Sequence, residues 1–280
     1  MPSSLPPAPP ATDTIDRIAP TRRPDERTVM RQQWHHLLFL HWAVPAELLR
    51  PLIPAELEID TFDGTAYVGL VPFTMTGVRP IWSPSVPGLS NFHEINVRTY
   101  VHYKGAAPGV WFFSLDAANA IAARLARATW ALPYFFANMS LDYRAPAGPL
   151  LHTGPDARPY IRIGYQTERL WPHPIPAACS LEYGPVGPAA PARVGTLEHF
   201  LVERYVLYTA DPRRILRARI HHGPYPIQPA SITNLSENMI AAAGIGRGDE
   251  EPLAHYASGV NVRIYGLHAV RARNSAGAAK

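Results

Sequence analysis

Cysteine is nearly absent from this sequence, and the single one, Cys179, excludes an internal disulfide bond. Its neighbours include no histidine or lysine that would activate the thiol, so we interpret Cys179 as a packing residue. Long apolar runs are absent too, because no segment approaches the roughly 20 residues of a membrane-spanning helix. The N-terminus also lacks the apolar run of a secretory signal. The sequence therefore predicts a soluble, cytoplasmic protein without a membrane partner.

Lysine is almost as rare, since only Lys104 and Lys280 contribute to the 26 basic residues and the other 24 are arginines. The formal net charge is +4, and the basic residues are scattered among acidic ones. This pattern lacks the continuous basic stripe of a nucleic-acid-binding surface. It favours a small-molecule ligand as the partner and is compatible with a homo-oligomer.

Histidine is plentiful, but its spacing does not indicate a metal site. The twelve histidines include the neighbours His35 and His36, and His221 and His222. Adjacent residues in a strand point to opposite faces, so neither pair could chelate one ion. Because no HExxH or His-x-His pattern is present, we predict neither a metal nor another cofactor.

The composition predicts one domain with two loose ends. Residues 1–27 are rich in proline, alanine and charge and have no periodic apolar face, which is typical of a disordered tail. Residues 272–280 read as a flexible tail for the same reason. The domain itself is expected to span residues 28–271.

The periodicity of this domain predicts an α+β fold dominated by strands, with some ten strands and two notable helices. Asp63-Gly64 indicates a hairpin turn. Asp116 is the predicted N-cap of an amphipathic helix that ends near Trp130, with Ile121 and Leu125 on its buried stripe.

Residues 92–103 are predicted to form a strand with one polar face, on which Glu94, Asn96 and Arg98 follow one another. The proline-rich stretch 79–90 is long for a connection without periodic structure, so we expect a loop that covers another part of the molecule.

Several segments occur in a characteristic order: VPAELLRPLIPAELEIDTFDGTAYVGLVPF, FHEINV, LDAANAIAARLARATWALPYFF, TLEHFLVERYVLYT and IHHGPYPIQPA. Together they resemble the acetoacetate-decarboxylase-like superfamily and, more narrowly, its YqjF-like branch, a domain of unknown function. The resemblance implies a curved antiparallel sheet that forms a cone or partial barrel around a central pocket, with a few helices outside.

In the decarboxylases of that superfamily, a lysine just after the helix forms a Schiff base with a keto acid. The resemblance places Tyr134 at the position of this lysine and Phe135 at that of its activating neighbour, and neither can form an imine. Glu94 matches one pocket carboxylate, whereas the second falls near Gly69 and the pocket arginine near Trp34. The chain is therefore not expected to be a Schiff-base decarboxylase.

Two hypotheses follow. In the first, an enzyme of lyase or hydrolase type acts on a small polar or carboxylated metabolite by acid–base chemistry, with Glu94 and Tyr134 as catalytic residues. The predicted substrate-binding residues are Arg98, Asn96, Trp34, Phe135, Tyr225 and Gln228. In the second, the protein is a non-catalytic, lipocalin-like container for an apolar ligand. The simpler alternatives stay open, namely a packing role for Tyr134, a surface position for Arg98 and a plain structural turn at Tyr225.

Overall fold

The computed structural model describes residues 15–144, 162–172 and 175–270, which form one curved, strand-rich sheet with four short helices. The predicted strand-dominated α+β class is confirmed. The strands are β1 (Thr28–Val44), β2 (Glu58–Ile59), β3 (Ala66–Pro80), β4 (Phe92–Tyr103), β5 (Ala106–Ala117), β6 (Tyr134–Arg144), β7 (Arg162–Trp171), β8 (Ala178–Pro185), β9 (Ala190–Pro191), β10 (Val206–Asp211), β11 (Arg214–His221), β12 (Pro226–Glu237) and β13 (Leu253–Ala269). The helices are α1 (Ala46–Leu49), α2 (Ala120–Trp130), α3 (Leu197–Val202) and α4 (Met239–Ala242), and short 3-10 turns span Ala19–Thr21 and Arg50–Leu52.

The sheet curves back on itself. Its strand order is β2-β4-β3-β1-β13-β11-β10-β5-β6-β7-β8-β12-β9, and two further pairings join β4 to β5 and β13 to β12. Most neighbours are antiparallel, as expected, but β5 runs parallel to both β10 and β6. The pairing of β5 with β6 brings the strands before and after α2 side by side.

Side-chain alternation divides the core between the two faces of the sheet. In β4, Ile95, Val97 and Val101 join one buried cluster, whereas Phe92 and Tyr100 join the other. Glu94 has the same parity as Phe92 and Tyr100, so its carboxyl lies on the second face. The second cluster therefore surrounds the candidate site.

The predicted hairpin turn is confirmed, but the strands beside it pair differently from the expectation. Asp63 and Gly64 both have positive φ, 49° and 80°, which suits a tight turn. Phe62 and Thr65 close it with two backbone hydrogen bonds of 2.9 Å. Beyond this single bridge, β2 pairs with β4 instead of β3.

Helix α2 begins later than predicted. Asn119 is its N-cap and accepts hydrogen bonds from the backbone of Ile121 and Ala122, whereas Asp116 still belongs to β5. The predicted buried stripe is also wrong, because Ile121 and Leu125 are 60% and 61% exposed. Both side chains instead line a cavity beneath α2.

Contacts with the domain begin before residue 28. The Arg17 guanidinium donates two hydrogen bonds, of 2.7 and 2.8 Å, to the Asp60 carboxylate. Arg219 donates to the carbonyl of Pro20 at 2.9 Å. Residues 15–27 therefore lie against the sheet, while the rest of the predicted N-terminal tail and residues 272–280 fall outside the described residues.

Cys179 is buried, and burial raises the pKa of its thiol. This agrees with its interpretation as a packing residue. Within the described ranges, no helix has the length and apolar character needed to cross a membrane.

Candidate functional site

A cavity of about 520 Å³ lies on the second face of the sheet, beneath α2 and the loop between β3 and β4. Its walls are mostly apolar, and Glu94 is the one acidic residue among those that line it. The sheet contributes, among others, Trp34, Phe73, Met75, Phe92, Phe112 and Leu115; the helix contributes Ile121, Ala122, Leu125, Ala126 and Trp130; and the loop contributes Ser83, Pro84, Val86, Leu89 and Ser90. The proline-rich loop thus has the covering position that its length suggested.

Glu94 is the chemical centre of this cavity. Its side chain is 3% exposed, and burial raises the pKa of its carboxyl to about 8. Hydrogen bonds from Tyr134 and Asn96 act in the opposite direction, whereas the nearby Asp116 charge raises the pKa slightly further. Because desolvation dominates, Glu94 is mainly a neutral carboxylic acid at pH 7 and can donate a proton.

Tyr134 reaches Glu94 because of the way the chain leaves α2. The helix ends at Ala131, whose φ of 52° is left-handed, and Pro133 prevents its continuation. The chain then enters β6, where Tyr134 pairs with Leu115 of β5. From there the Tyr134 hydroxyl donates a 2.7 Å hydrogen bond to Glu94 Oε2. Burial and the Glu94 charge keep the pKa of Tyr134 well above its ordinary value, so the phenol stays a donor.

Trp34 supplies another donor. It lines the cavity and packs edge-on against Phe73, with ring centroids 5.4 Å apart. Its buried indole Nε1–H has no acceptor within the described part of the chain. An unpaired buried donor costs about 1–3 kcal/mol, so a ligand oxygen placed here would relieve a real deficit.

Asn96, Arg98 and Tyr225 lie deeper on the same face and are not among the cavity-lining residues. All three are buried. The Arg98 guanidinium lies 5.5 Å from the ring of Phe39, which in turn contacts Tyr225 at 5.2 Å. The structure thus brings Arg98 and Tyr225 together around Phe39 in an inner cluster beside the cavity, whereas Asn96 hydrogen-bonds to Glu94.

Phe135 and Gln228 are placed away from the cavity. Phe135 stacks beneath the Arg169 guanidinium at 3.8 Å, and Arg169 forms a buried ion pair of 2.7 Å with Asp116. Gln228 is opposite Tyr256 in the pairing of β12 with β13. Neither residue lines the cavity, so neither is among the residues that form the candidate site.

Sequence reasoning missed the wall that α2 provides. Ile121 and Leu125 follow the helical spacing of a buried stripe, and this spacing is the only sequence signal for the wall. What the spacing could not show is that this stripe faces an open cavity instead of a filled core.

No lysine of the described residues lines the cavity. Lys104 lies in the turn between β4 and β5, has a φ of 52° and contacts the ring of Tyr103 at 5.2 Å. Lys280 is outside the described residues. Over the described ranges, no group of three or more potential ligands for a metal ion comes together.

Comparison with known proteins places this chain in a family. The family DUF2071, described as "Uncharacterized conserved protein (COG2071)", matches residues 31–261. The chain is 36% identical over 244 residues to the uncharacterized protein YqjF of Bacillus subtilis (strain 168), covering 87% of this chain and 93% of that protein.

Solved structures with the same fold are more distant in sequence. An acetoacetate-decarboxylase-like enzyme from Sphingomonas wittichii RW1 has a TM-score of 0.55 at 15% identity and covers 88% of this chain and 94% of its own. The enduracididine biosynthesis enzyme MppR, complexed with pyruvate, has a TM-score of 0.55 at 11% identity and covers 88% and 91%. The fold is therefore acetoacetate-decarboxylase-like.

Proposed function

We propose that this chain, which belongs to the DUF2071 family, binds a mostly apolar small molecule carrying an oxygen function, and that Glu94 transfers a proton to that oxygen. The observation that carries the proposal is a single buried carboxyl, with a pKa raised to about 8, in a mostly apolar cavity. A carboxyl in such surroundings is a better proton donor near neutral pH than an ordinary glutamate, which is already ionised.

The hydrogen-bond directions define the role of each group. Tyr134 donates its proton to Glu94 Oε2 and Asn96 donates to the same carboxyl, so we place the carboxylic proton on Oε1, where a ligand would accept it. When that proton moves to a ligand oxygen, the Tyr134 hydroxyl stabilises the carboxylate left behind. The Trp34 Nε1–H is a second donor along the cavity wall and would stabilise charge that develops on the ligand.

The reaction class that fits this arrangement is acid-assisted bond cleavage of lyase or hydrolase type. An imine route is not proposed, since Lys104 lies in an outer turn and Tyr134 cannot form an imine. MppR was solved with pyruvate, a small carbonyl compound. That similarity in fold supports a carbonyl oxygen as the group recognised here. Borohydride reduction with acetoacetate should leave the chain unmodified, and an adduct on Lys104 would contradict this assignment.

A non-catalytic container is the second candidate, and the apolar lining of the cavity favours it. In that case, Glu94 and Tyr134 would only anchor the polar end of an apolar ligand. The two functions differ in what they require of Glu94, because a container needs a hydrogen bond whereas an acid catalyst needs a transferable proton.

Ligand identification comes first in the test. Native mass spectrometry of the purified protein detects a retained molecule, and a thermal-shift screen compares apolar ketones with small keto and hydroxy acids. Turnover of any stabilising compound is then followed in Glu94→Gln, which keeps the size of the side chain but loses its acid. The exposed Glu58→Gln serves as the matched control, since Glu58 is 59% exposed.

The proposal expects Glu94→Gln to bind the compound but to lose turnover, while Glu58→Gln behaves like the parent protein. Full turnover in Glu94→Gln would remove Glu94 from the chemistry. A retained apolar molecule that is never converted would favour the container.

The proposal also includes a cytoplasmic location, no nucleic-acid partner and no metal or organic cofactor, with a homo-oligomer left to measurement. Cell fractionation, light scattering and metal analysis of the purified protein test these points.

A further inference from the structure

Arg98 is a buried cation in the inner cluster beside the cavity. The residue is 8% exposed, and its guanidinium lies 5.5 Å from the ring of Phe39 and 5.8 Å from that of Tyr100. Its Nη2 donates a long hydrogen bond of 3.3 Å to the carbonyl of Leu201. Its Nε–H is buried and has no acceptor within the described residues.

Among the residues that the structure describes, no carboxylate forms an ion pair with Arg98. The buried acids of this region are Asp60, whose backbone pairs with that of Tyr100, and Glu203, which accepts hydrogen bonds from the Tyr205 hydroxyl and from the backbone N–H of Tyr225. Asp60 binds Arg17 at 2.7 Å and Arg204 at 2.6 Å, so its charge is already shared between two other arginines. The strand partner opposite Arg98 is Gly69, which has no side chain that could carry a counter-charge.

The other polar groups around Arg98 do not offset its charge. His41 and His222 are buried at 1% and 2% exposure. Burial lowers the pKa of both, that of His222 to about 4, and the Arg98 charge lowers both further. They are therefore neutral, and burial raises the pKa of Glu203, which favours its neutral form, so the region keeps an excess of positive charge. A buried cation without an anion is strongly unfavourable, because the lost hydration is not replaced.

We propose that Arg98 forms the cation of an inner subsite that binds a carboxylate group. A guanidinium is planar and offers parallel N–H donors that match a carboxylate. The Arg98 Nε–H is the unused donor on one edge of the guanidinium, and a bound anion would offset the excess positive charge around it. This subsite does not depend on proton transfer at Glu94.

The carboxylate could belong to a free small anion or to the ligand in the cavity. Trp34 connects the cavity with the inner cluster around Arg98, because it lines the cavity and contacts the His222 ring with centroids 6.1 Å apart. His222 in turn contacts the ring of Tyr225 with centroids 4.4 Å apart, and Tyr225 contacts Phe39, over whose ring the Arg98 guanidinium lies. The shared chemistry is the carboxylate at Arg98, and the experiment below distinguishes its source.

The test compares the thermal unfolding of the full chain with formate, decanoate, decanol and chloride at constant ionic strength. The parent protein should gain about 3 °C or more with a carboxylate over chloride or decanol. Arg98→Met should lose this gain and, in anion-poor buffer, melt at or above the parent temperature because its buried charge is gone. Arg213→Met, which removes an exposed arginine charge, should respond like the parent protein.

Ala122→Phe, which fills the cavity, separates the two sources. If the subsite binds a free anion, formate should still stabilise this variant. If it binds the carboxylate of the ligand in the cavity, only decanoate should stabilise the parent protein, and Ala122→Phe should abolish that effect. Glu94→Gln should keep the carboxylate response in either case, so failure of the proton-transfer proposal is recognisable.

If Arg98→Met does not fold, Arg98→Lys keeps the charge but lacks the planar fork, and its carboxylate response should be weaker. The proposal is overturned if the Arg98 variants respond to carboxylates like the parent protein, or if no carboxylate stabilises the parent protein.

Discussion

Tyr134 and Glu94 form a 2.7 Å hydrogen bond although their strands, β6 and β4, do not pair with each other. Strand β5 joins them, because it places Ala117 opposite Glu94 and Leu115 beside Tyr134. The parallel pairing of β5 with β6 is possible since α2 carries the chain back between the two strands. The site is therefore a product of the crossover.

The raised pKa of Glu94 makes the stability of the protein depend on pH. The carboxyl has an ordinary value of 4.5 and a folded value of about 8. The folded state therefore holds a proton that the unfolded state has lost in this interval. The contribution of Glu94 to the free energy of unfolding should therefore fall as pH rises from about 4.5 to 8, by an amount on the order of 5 kcal/mol, and then level off.

Glu94→Gln should lose this contribution. The difference between its free energy of unfolding and that of the parent protein, measured in urea at pH 5, 7 and 9, isolates it, because the buried histidines titrate in both proteins. The Glu58→Gln control should keep it, because an exposed carboxyl has no such penalty. An identical pH profile in Glu94→Gln would contradict the assignment of Glu94 as a neutral buried acid.

Tyr134→Phe keeps the ring and removes the hydroxyl that favours the charged form of Glu94. The pKa of Glu94 should rise further above about 8, by roughly one unit or more, since hydrogen bonds to charged groups contribute about 1.5–3 kcal/mol. The alkaline end of the stability profile should move by the same amount. Tyr143→Phe is the control, because Tyr143 is 63% exposed and binds His36 instead. A shift toward lower pH would show that the hydroxyl stabilises the neutral acid.

Ala122→Phe places a ring in the cavity from the side of α2. Any compound found to bind there should lose affinity at least about tenfold, which corresponds to 1.4 kcal/mol. Ala128→Phe is the matched control on the same helix, because Ala128 is exposed and does not line the cavity. Isothermal titration calorimetry compares the two, and equal affinities would place the ligand elsewhere.

Arg169→Met should destabilise the fold by about 3–5 kcal/mol, because it leaves the buried Asp116 carboxylate without its partner. The side chains of this pair are 3% and 0% exposed. Arg214→Met breaks the exposed pair with Asp211 and should cost about 1 kcal/mol or less. Chemical denaturation measures both values, and similar losses would indicate that burial does not control the strength of these pairs.

The strand pattern of the fold could be predicted from the sequence because alternation is local. The face of β4 that carries Glu94, Asn96 and Arg98 follows directly from the period of two residues. The pairing of Glu94 with Tyr134 required the family resemblance, since no local signal connects residues forty positions apart.

Other features depended on tertiary contacts that no local pattern encodes. Asp116 reads as a helix cap in the sequence, yet Arg169 holds it within β5 from fifty-three residues away. Phe135 follows Tyr134 in the chain and so faces the opposite side of the sheet, where it stacks on the same arginine. Gln228 could be assigned to a side of the sheet only after the pairing of β12 with β13 was known.

The strand order of the sheet has a consequence for how these molecules behave at high concentration. Its two terminal strands, β2 and β9, each contain only two residues. Unpaired backbone along a long border would recruit strands from other molecules, so short borders limit association into fibres or aggregates. A curved sheet that ends in such short segments can expose apolar side chains around a cavity entrance without offering its backbone to neighbours.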